Sequence, residues 1–363
     1  MNSYNDFTDI SHDWADKSIS KDTKAYRGIN VLSCFDGLSG GQLALEKAGI
    51  EVNKYFASEI DKYAMAVAKY NYPNTIHLGD VKKIDTSTLP KIDLMLAGSP
   101  CTDLSFAGKQ KGLFDGEQSS LFFVWWKLVQ EIKPKYIFLE NVRMKKEYEK
   151  VISDLLGFEP VAIDSALKSA QKRYRLYWFG VREGDTYKAV PIQQPKDEGL
   201  VLKDIIEDGF VDKDKSYCLD ANYWKGGNLK MYFEKSRRQL VFNQCIQVGE
   251  TADIKGYDII KRVYSVEGKA PSLTTMQGGH REPKIAVDKL TWRKLTPLEC
   301  ERLQTVPDGY TQYGDFGGEQ FDKDGNFIRY TTKPVSNSQR YKMLGNGWTI
   351  DVITHILEGM KDV

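Results

Sequence analysis

Cys101 stands where a reactive side chain can do chemistry. It follows Pro100 at the end of a short apolar run, in Gly98-Ser99-Pro100-Cys101-Thr102-Asp103-Leu104-Ser105. A thiolate there is a nucleophile. Glu140 ends the next apolar run, in Glu140-Asn141-Val142. A nucleophile and an acid at the ends of adjacent strands can converge on one substrate. Upstream, Phe35-Asp36-Gly37-Leu38-Ser39-Gly40-Gly41 forms a glycine-rich turn before a helix. Such a turn lets a ligand reach the main chain and the helix N-terminus. Glu59 ends the second run, 22 residues after Gly37, and Asp80 follows the third. A carboxylate at Glu59 can accept hydrogen bonds from a ribose diol. These residues together describe a nucleoside pocket. The turn alone does not separate nicotinamide, flavin and S-adenosylmethionine.

The elements that must position them read as a repeating pattern. Strands are expected at Ile29–Ser33, Lys54–Ser58, Thr75–Leu78, Ile92–Ala97, Lys135–Leu139, Pro160–Ile163 and Leu176–Val181. Helices are expected at Gly41–Ala48, Lys62–Tyr70, Ser119–Ile132 and Lys145–Leu156. Strand and helix in alternation predict an α/β fold, a doubly wound and mostly parallel sheet with helices on both faces. Ligands bind such sheets at the carboxyl ends of the strands, where the residues above fall. After residue 183 the pattern breaks into a Lys-, Gly-, Tyr- and Asn-rich stretch with turn signals at Gly226-Gly227 and Gly278-Gly279. This predicts a smaller, β-rich domain. Thr296, Pro297 and Glu299 carry the start signals of a helix over 296–305, and a last helix is expected over 349–360.

Composition sets the remaining bounds. The chain has 363 residues, 41% of them apolar and 28% charged, and a net charge of +1. That is enough apolar material for a sizeable core and excludes wholesale disorder. No apolar run is long enough to span a bilayer. Residues 1–28 carry five acids and no apolar segment, so they read as a polar lead-in rather than a signal or anchor of an intracellular protein. The five cysteines do not form a disulfide framework, and neither they nor the four histidines have metal-ligand spacing, so no metal site is expected. Cys34 reads as packing, and Cys218, Cys245 and Cys300 have no functional context. Residues 221–290 hold 12 Lys and Arg against 7 Asp and Glu. This basic bias fits nucleic-acid binding and equally fits ordinary surface variation.

The motifs, taken in order, resemble those of the DNA cytosine-5 methyltransferase family. Phe35-Asp36-Gly37 with Gly40 and Gly41 is similar to that family's cofactor turn, and Pro100-Cys101 to its nucleophile motif. Ser120-Leu121-Phe122-Phe123, Glu140-Asn141-Val142 and Gln171-Lys172-Arg173-Tyr174-Arg175 follow at matching distances. Arg293-Lys294-Leu295-Thr296-Pro297 and Leu344-Gly345-Asn346 complete the series. The resemblance covers about 29–182 and 291–352. The cofactor turn and Pro-Cys-Thr-Asp-Leu-Ser resemble the eukaryotic de novo branch. Gly347-Trp348 departs from the small residue and valine that most members carry there.

The resemblance implies the Rossmann-like fold of S-adenosylmethionine-dependent methyltransferases. It assigns residues 29–183 plus 330–363 to a catalytic domain and 184–329 to a target-recognition domain, the variable region itself being 184–290. It implies methyl transfer to carbon 5 of a flipped-out cytosine in a specific duplex DNA sequence. Cys101 would attack carbon 6, Glu140 would hold and protonate ring nitrogen 3, and Arg173 and Arg175 would steady the ring oxygen and the loop phosphate. The S-adenosyl-L-methionine contacts implied are Phe35, Asp36, Gly37, Gly40, Glu59, Ile60, Asp80, Val81, Pro100, Leu121, Asn346 and Trp348. The loop 102–117 would be a lid. Ser105, Lys109, Lys111, Arg237, Arg238, Thr274, Gln277, His280 and Arg281 are the expected DNA contacts. The expected partners are double-stranded DNA and a cognate restriction endonuclease acting on the same site, in the cytoplasm of a bacterium or a bacteriophage-infected cell.

A nucleotide-binding oxidoreductase would not need Pro-Cys, Glu-Asn-Val and Gln-x-Arg-x-Arg together. An amino-group methyltransferase would carry an Asn/Asp-Pro-Pro-aromatic block at the fourth strand end. A non-catalytic relative would not need Cys101 and Glu140. An RNA cytosine-5 methyltransferase would not need so large an insert at 184–290.

Overall fold

The computed structural model describes residues 28–100, 120–225, 229–242, 247–250, 262–265, 284–286, 292–321 and 327–362. The first half alternates as the sequence predicts: β1 (Ile29–Cys34), α1 (Gly40–Lys47), β2 (Val52–Ser58), α2 (Lys62–Asn71), β3 (Ile76–His77) and β4 (Leu94–Gly98). Then come α3 (Ser120–Ile132), β5 (Tyr136–Val142), α4 (Lys146–Leu156), β6 (Val161–Asp164), β7 (Tyr174–Glu183) and β8 (Thr186–Ala189). The sheet order is β3-β2-β1-β4-β5-β7-β6, with β8 beside β7. Strands β1 to β5 run parallel, and β7 is antiparallel to β5, β6 and β8.

The strands are apolar throughout because both faces are covered. Val31, Leu94, Leu96, Phe138 and Phe179 face one core layer. Their neighbours Leu32, Met95, Ala97, Ile137 and Trp178 face the other, against Phe122 and Trp125 of α3 and Ile152 of α4. Asp61 caps α2 by accepting from the N–H groups of Tyr63 and Ala64, and Gly157 ends α4 at a φ of 89°.

The small sheets bear out a β-rich second part. They are β9 (Leu240–Phe242) with β13 (Trp292–Lys294), the trio β10 (Gln247–Glu250), β11 (Arg262–Ser265) and β12 (Lys284–Ala286), and the hairpin β14 (Tyr313–Phe321) with β15 (Phe327–Pro334). A short helix, α5 (Leu229–Phe233), precedes β9. Two pieces that the division at 183 and 330 sets apart nevertheless contact the large lobe. Strand β8 belongs to the large sheet. The hairpin leans on α2, with the Tyr63 and Phe316 rings edge to face at 5.7 Å.

The chain then returns to the sheet. Helix α6 (Pro297–Leu303) has the start its sequence specifies: Glu299 N–H donates to Thr296 Oγ1 at 3.1 Å, and Thr296 N–H donates to Glu299 Oε2 at 2.8 Å. Helix α7 (Asn337–Asn346) was not visible in the sequence pattern, because its polar residues blur any apolar stripe. Helix α8 (Ile350–Leu357) buries Ile350, Val352, Ile353, Ile356 and Leu357 in the layer that holds α1. Lys47 of α1 pairs with Asp351 of α8. Among the described residues no helix is long and apolar enough to cross a membrane.

Candidate active site

One cavity of about 1010 Å³ opens at the carboxyl edge of β1, β2, β4 and β5, closed on its far side by α7 and the turn after it. It is lined by Phe35, Asp36, Gly37, Gly40, Glu59, Ile60, Asp80, Val81, Pro100, Leu121, Glu140, Arg173, Arg175, Asn346 and Trp348. Every described residue expected at the catalytic and cofactor sites therefore lies on one wall or another of the same space. Cys101, the loop 102–117 with Ser105, Lys109 and Lys111, and Thr274, Gln277, His280 and Arg281 lie outside the described residues.

The turn after β1 holds an uncommon backbone. Phe35 and Ser39 have φ of 60° and 65°, and Gly37 has 58°. Only glycine takes such angles freely, and non-glycine residues there need support. The support is visible. Asp36 is buried and accepts from Ser39 Oγ at 2.5 Å and from Tyr55 Oη at 2.7 Å. Burial pushes its carboxyl up to about 6, with those hydrogen bonds acting the other way. Gly37 N–H donates to Glu59 Oε2 at 2.9 Å, and the N–H groups of Ile60 and Asp61 donate to Oε1 at 2.8 Å. A Cβ built on Gly37 would meet nothing within 4 Å, so its main chain lies open.

This end fits S-adenosylmethionine. The open main chain of Gly37, the Glu59 carboxylate beside it and the 77%-exposed Ile60 together suit a nucleoside. Asp80 accepts from Lys82 N–H at 3.0 Å, holding the next turn at the same edge.

The other end is charged. Glu140 lies near the end of β5 and Arg175 near the start of the neighbouring strand β7; Arg175 Nε lies 2.9 Å from Glu140 Oε1. Arg173 lines the same cavity. It is buried, and its guanidinium donates to the carbonyls of Leu219 at 3.0 Å, Gly345 at 3.3 Å and Gly347 at 2.9 Å. Those bonds go to the main chain, so Arg173 also braces the turn after α7. Arg237 pairs with Asp220 at 2.7 Å, and Arg238 follows it at a φ of 59°. Cys34 and Cys300 are buried, and burial raises the pKa of both thiols, which suits inert packing.

Sequence reasoning missed several participants. Asn141 Nδ2 donates to Ser99 Oγ at 2.9 Å, tying the Pro-Cys approach to β5. Lys342 reaches Asp61 at 2.5 Å and joins α7 to the cap of α2. The indole N–H of Trp348 donates to Glu140 Oε2 at 3.1 Å. Asn141 stood inside a quoted motif, and Lys342 two residues before another. The Trp348 contact spans 208 positions and left no local signal.

The chain is similar to known methyltransferases. Orphan methyltransferase M.SPBetaI of Bacillus phage SPbeta is 28% identical over 91% of this chain and 97% of that protein. Type II methyltransferase M.HhaI of Haemophilus parahaemolyticus is 27% identical over 92% and 94%. In fold, the chain is similar to the Entamoeba histolytica methyltransferase EhMeth, with a TM-score of 0.61 and 15% identity over 93% of this chain and 98% of that one. It is also similar to the S. pombe Dnmt2 methyltransferase, with a TM-score of 0.57 and 15% identity over 91% and 97%. Residues 29–362 match the family of C-5 cytosine-specific DNA methylases, and the chain belongs to it.

Proposed function

We propose that this protein transfers a methyl group from S-adenosylmethionine to carbon 5 of a cytosine flipped out of a specific duplex DNA sequence. The observation that carries the reading is the single cavity that unites the Glu59 turn with the Glu140–Arg175 pair. Pro100, which leads directly into Cys101, lines the same cavity.

Carbon 5 of cytosine is a poor nucleophile. The Cys101 thiolate adds to carbon 6 while Glu140 gives a proton to nitrogen 3, and carbon 5 becomes enamine-like. Bound S-adenosylmethionine supplies the electrophilic methyl group. After methyl transfer a base removes the carbon 5 proton, the electron pair re-forms the 5,6 double bond, the thiolate leaves, and nitrogen 3 returns its proton to Glu140. Arg175 orients Glu140 and offers positive charge beside the ring oxygen. A base inside a duplex cannot reach these groups, so it must leave the stack.

Residues 184–329 would contain the target-recognition domain. Thr274, Gln277, His280 and Arg281 would read bases, and Ser105, Lys109, Lys111, Arg237 and Arg238 would contact the backbone. The relatives are named as phage orphan and type II enzymes. By extension this chain works in a bacterial or phage-infected cytoplasm, and a type II setting would add an endonuclease for the same site.

The test is methyl transfer from tritiated S-adenosylmethionine to mixed-sequence duplex DNA and to transfer RNA, followed by nucleoside analysis. Labelled 5-methylcytosine in DNA, lost in Cys101→Ala, is expected. DNA carrying 5-fluorocytosine should form a denaturation-resistant complex with the intact enzyme, because fluorine cannot leave as the proton does. Label confined to RNA, or undiminished in Cys101→Ala, would overturn the reading.

A further inference from the structure

Glu140 is held from both sides. Arg175 Nε meets Oε1 at 2.9 Å from the neighbouring strand, and Trp348 Nε1 donates to Oε2 at 3.1 Å from the turn after α7. The indole reaches that point because room is left for it. A Cβ on Gly98 would stand 2.7 Å from Nε1 and 3.2 Å from Cε2 and Cζ2. A Cβ on Gly40 would stand 3.7 Å from Cε3. The ring of Phe138 meets the indole edge to face at 5.5 Å. The indole thus sits where the end of β4, the start of α1 and the side chain of Glu140 come together.

We propose that Trp348 is a positioning residue for Glu140: its indole N–H fixes the plane of the carboxyl group that must meet nitrogen 3 of the target base. This rests on the reading of Glu140 as the proton donor. The terminal torsion of a glutamate is broad and nearly two-fold, so a carboxyl anchored at one oxygen can swing. A second donor on the other oxygen removes that freedom. Each oxygen keeps a lone pair for a further partner. Misplacement of a reacting group by about 1 Å costs on the order of 100-fold in rate. Phenylalanine fills nearly the same space and has no N–H, so Trp348→Phe isolates the hydrogen bond from the packing.

The hydrogen bond is read without activity by labelling the seven tryptophan indoles with nitrogen-15. The resonance missing in Trp348→Phe is assigned to Trp348. In Glu140→Ala it should move upfield while the six others hold, which also reports an intact fold. Its failure to move would overturn the proposal. In assays at saturating S-adenosylmethionine Trp348→Phe should lower kcat about 10- to 100-fold. An undiminished kcat, or a loss confined to cofactor affinity, would also overturn it. If the unaltered enzyme forms no 5-methylcytosine, the underlying reading fails and the proposed role fails with it. If it does and Trp348→Phe matches it, only the role of Trp348 fails.

Discussion

Tyr55 Oη donates to Asp36 Oδ1 at 2.7 Å, and both residues are buried beneath the glycine-rich turn. An acid whose pKa rises from 3.8 to about 6 on folding binds more protons in the folded state between those values. Stability from this group is therefore greatest below pH 4 and declines as pH rises to about 6. The folded state then carries a penalty of about 3 kcal/mol. Asp36→Asn keeps an acceptor for Tyr55 and removes the charge. Urea titrations across pH 4 to 7 should show the variant gaining on the parent as pH rises. Parallel stability curves would contradict the assignment.

Glu59 accepts from three main-chain N–H groups, and the one from Gly37 ties the turn to the end of β2. It is also the carboxylate proposed to receive the ribose. Hydrogen bonds to a charged group contribute about 1.5–3 kcal/mol, so Glu59→Ala should raise the Kd for S-adenosylhomocysteine by about tenfold or more. Isothermal titration calorimetry measures this. A Kd within twofold of the parent would remove Glu59 from the cofactor site.

Gly98 leaves no room for a methyl group beside Trp348. Overpacking of this kind costs typically about 1–3 kcal/mol. Gly98→Ala should destabilise by that amount and also lower kcat, because the indole must move away from Glu140. Chemical denaturation and single-turnover rates test the two parts separately.

Gln304 is fully buried and joins three segments. Its Nε2 donates to Leu344 O at 2.6 Å, and its Oε1 accepts from Thr349 Oγ1 at 2.9 Å and from Gln171 Nε2 at 3.2 Å. Gln304→Leu keeps the volume and takes their partner from Leu344 O and Thr349 Oγ1. Each unsatisfied buried group costs about 1–3 kcal/mol, so a loss of about 3 kcal/mol or more is expected in urea unfolding. A change below about 1 kcal/mol would show that the network relaxes around the substitution.

The sequence by itself determined the alternation of β1 to β7 with α1 to α4. Apolar runs of strand length between amphipathic stretches leave few other arrangements. It also determined the start of α6, because Thr296, Pro297 and Glu299 act within one turn of chain. The carboxyl edge was legible for the same reason: Gly37, Glu59, Asp80 and Glu140 each stand within four residues of the end of a run. Only the tertiary structure decided what meets across that edge. Arg173 and Arg175 stand two residues apart and look alike in sequence, yet burial turns one onto main-chain carbonyls and leaves the other on Glu140. Helix α7 forms although its own pattern is weak, since Tyr341, Met343 and Leu344 gain their burial from distant elements. Trp348 stood out only as an unusual residue in its motif. Its bond to Glu140 arises because α8 folds back onto α1 and carries the preceding turn to the open end of β4, a contact set by long-range packing rather than by local spacing.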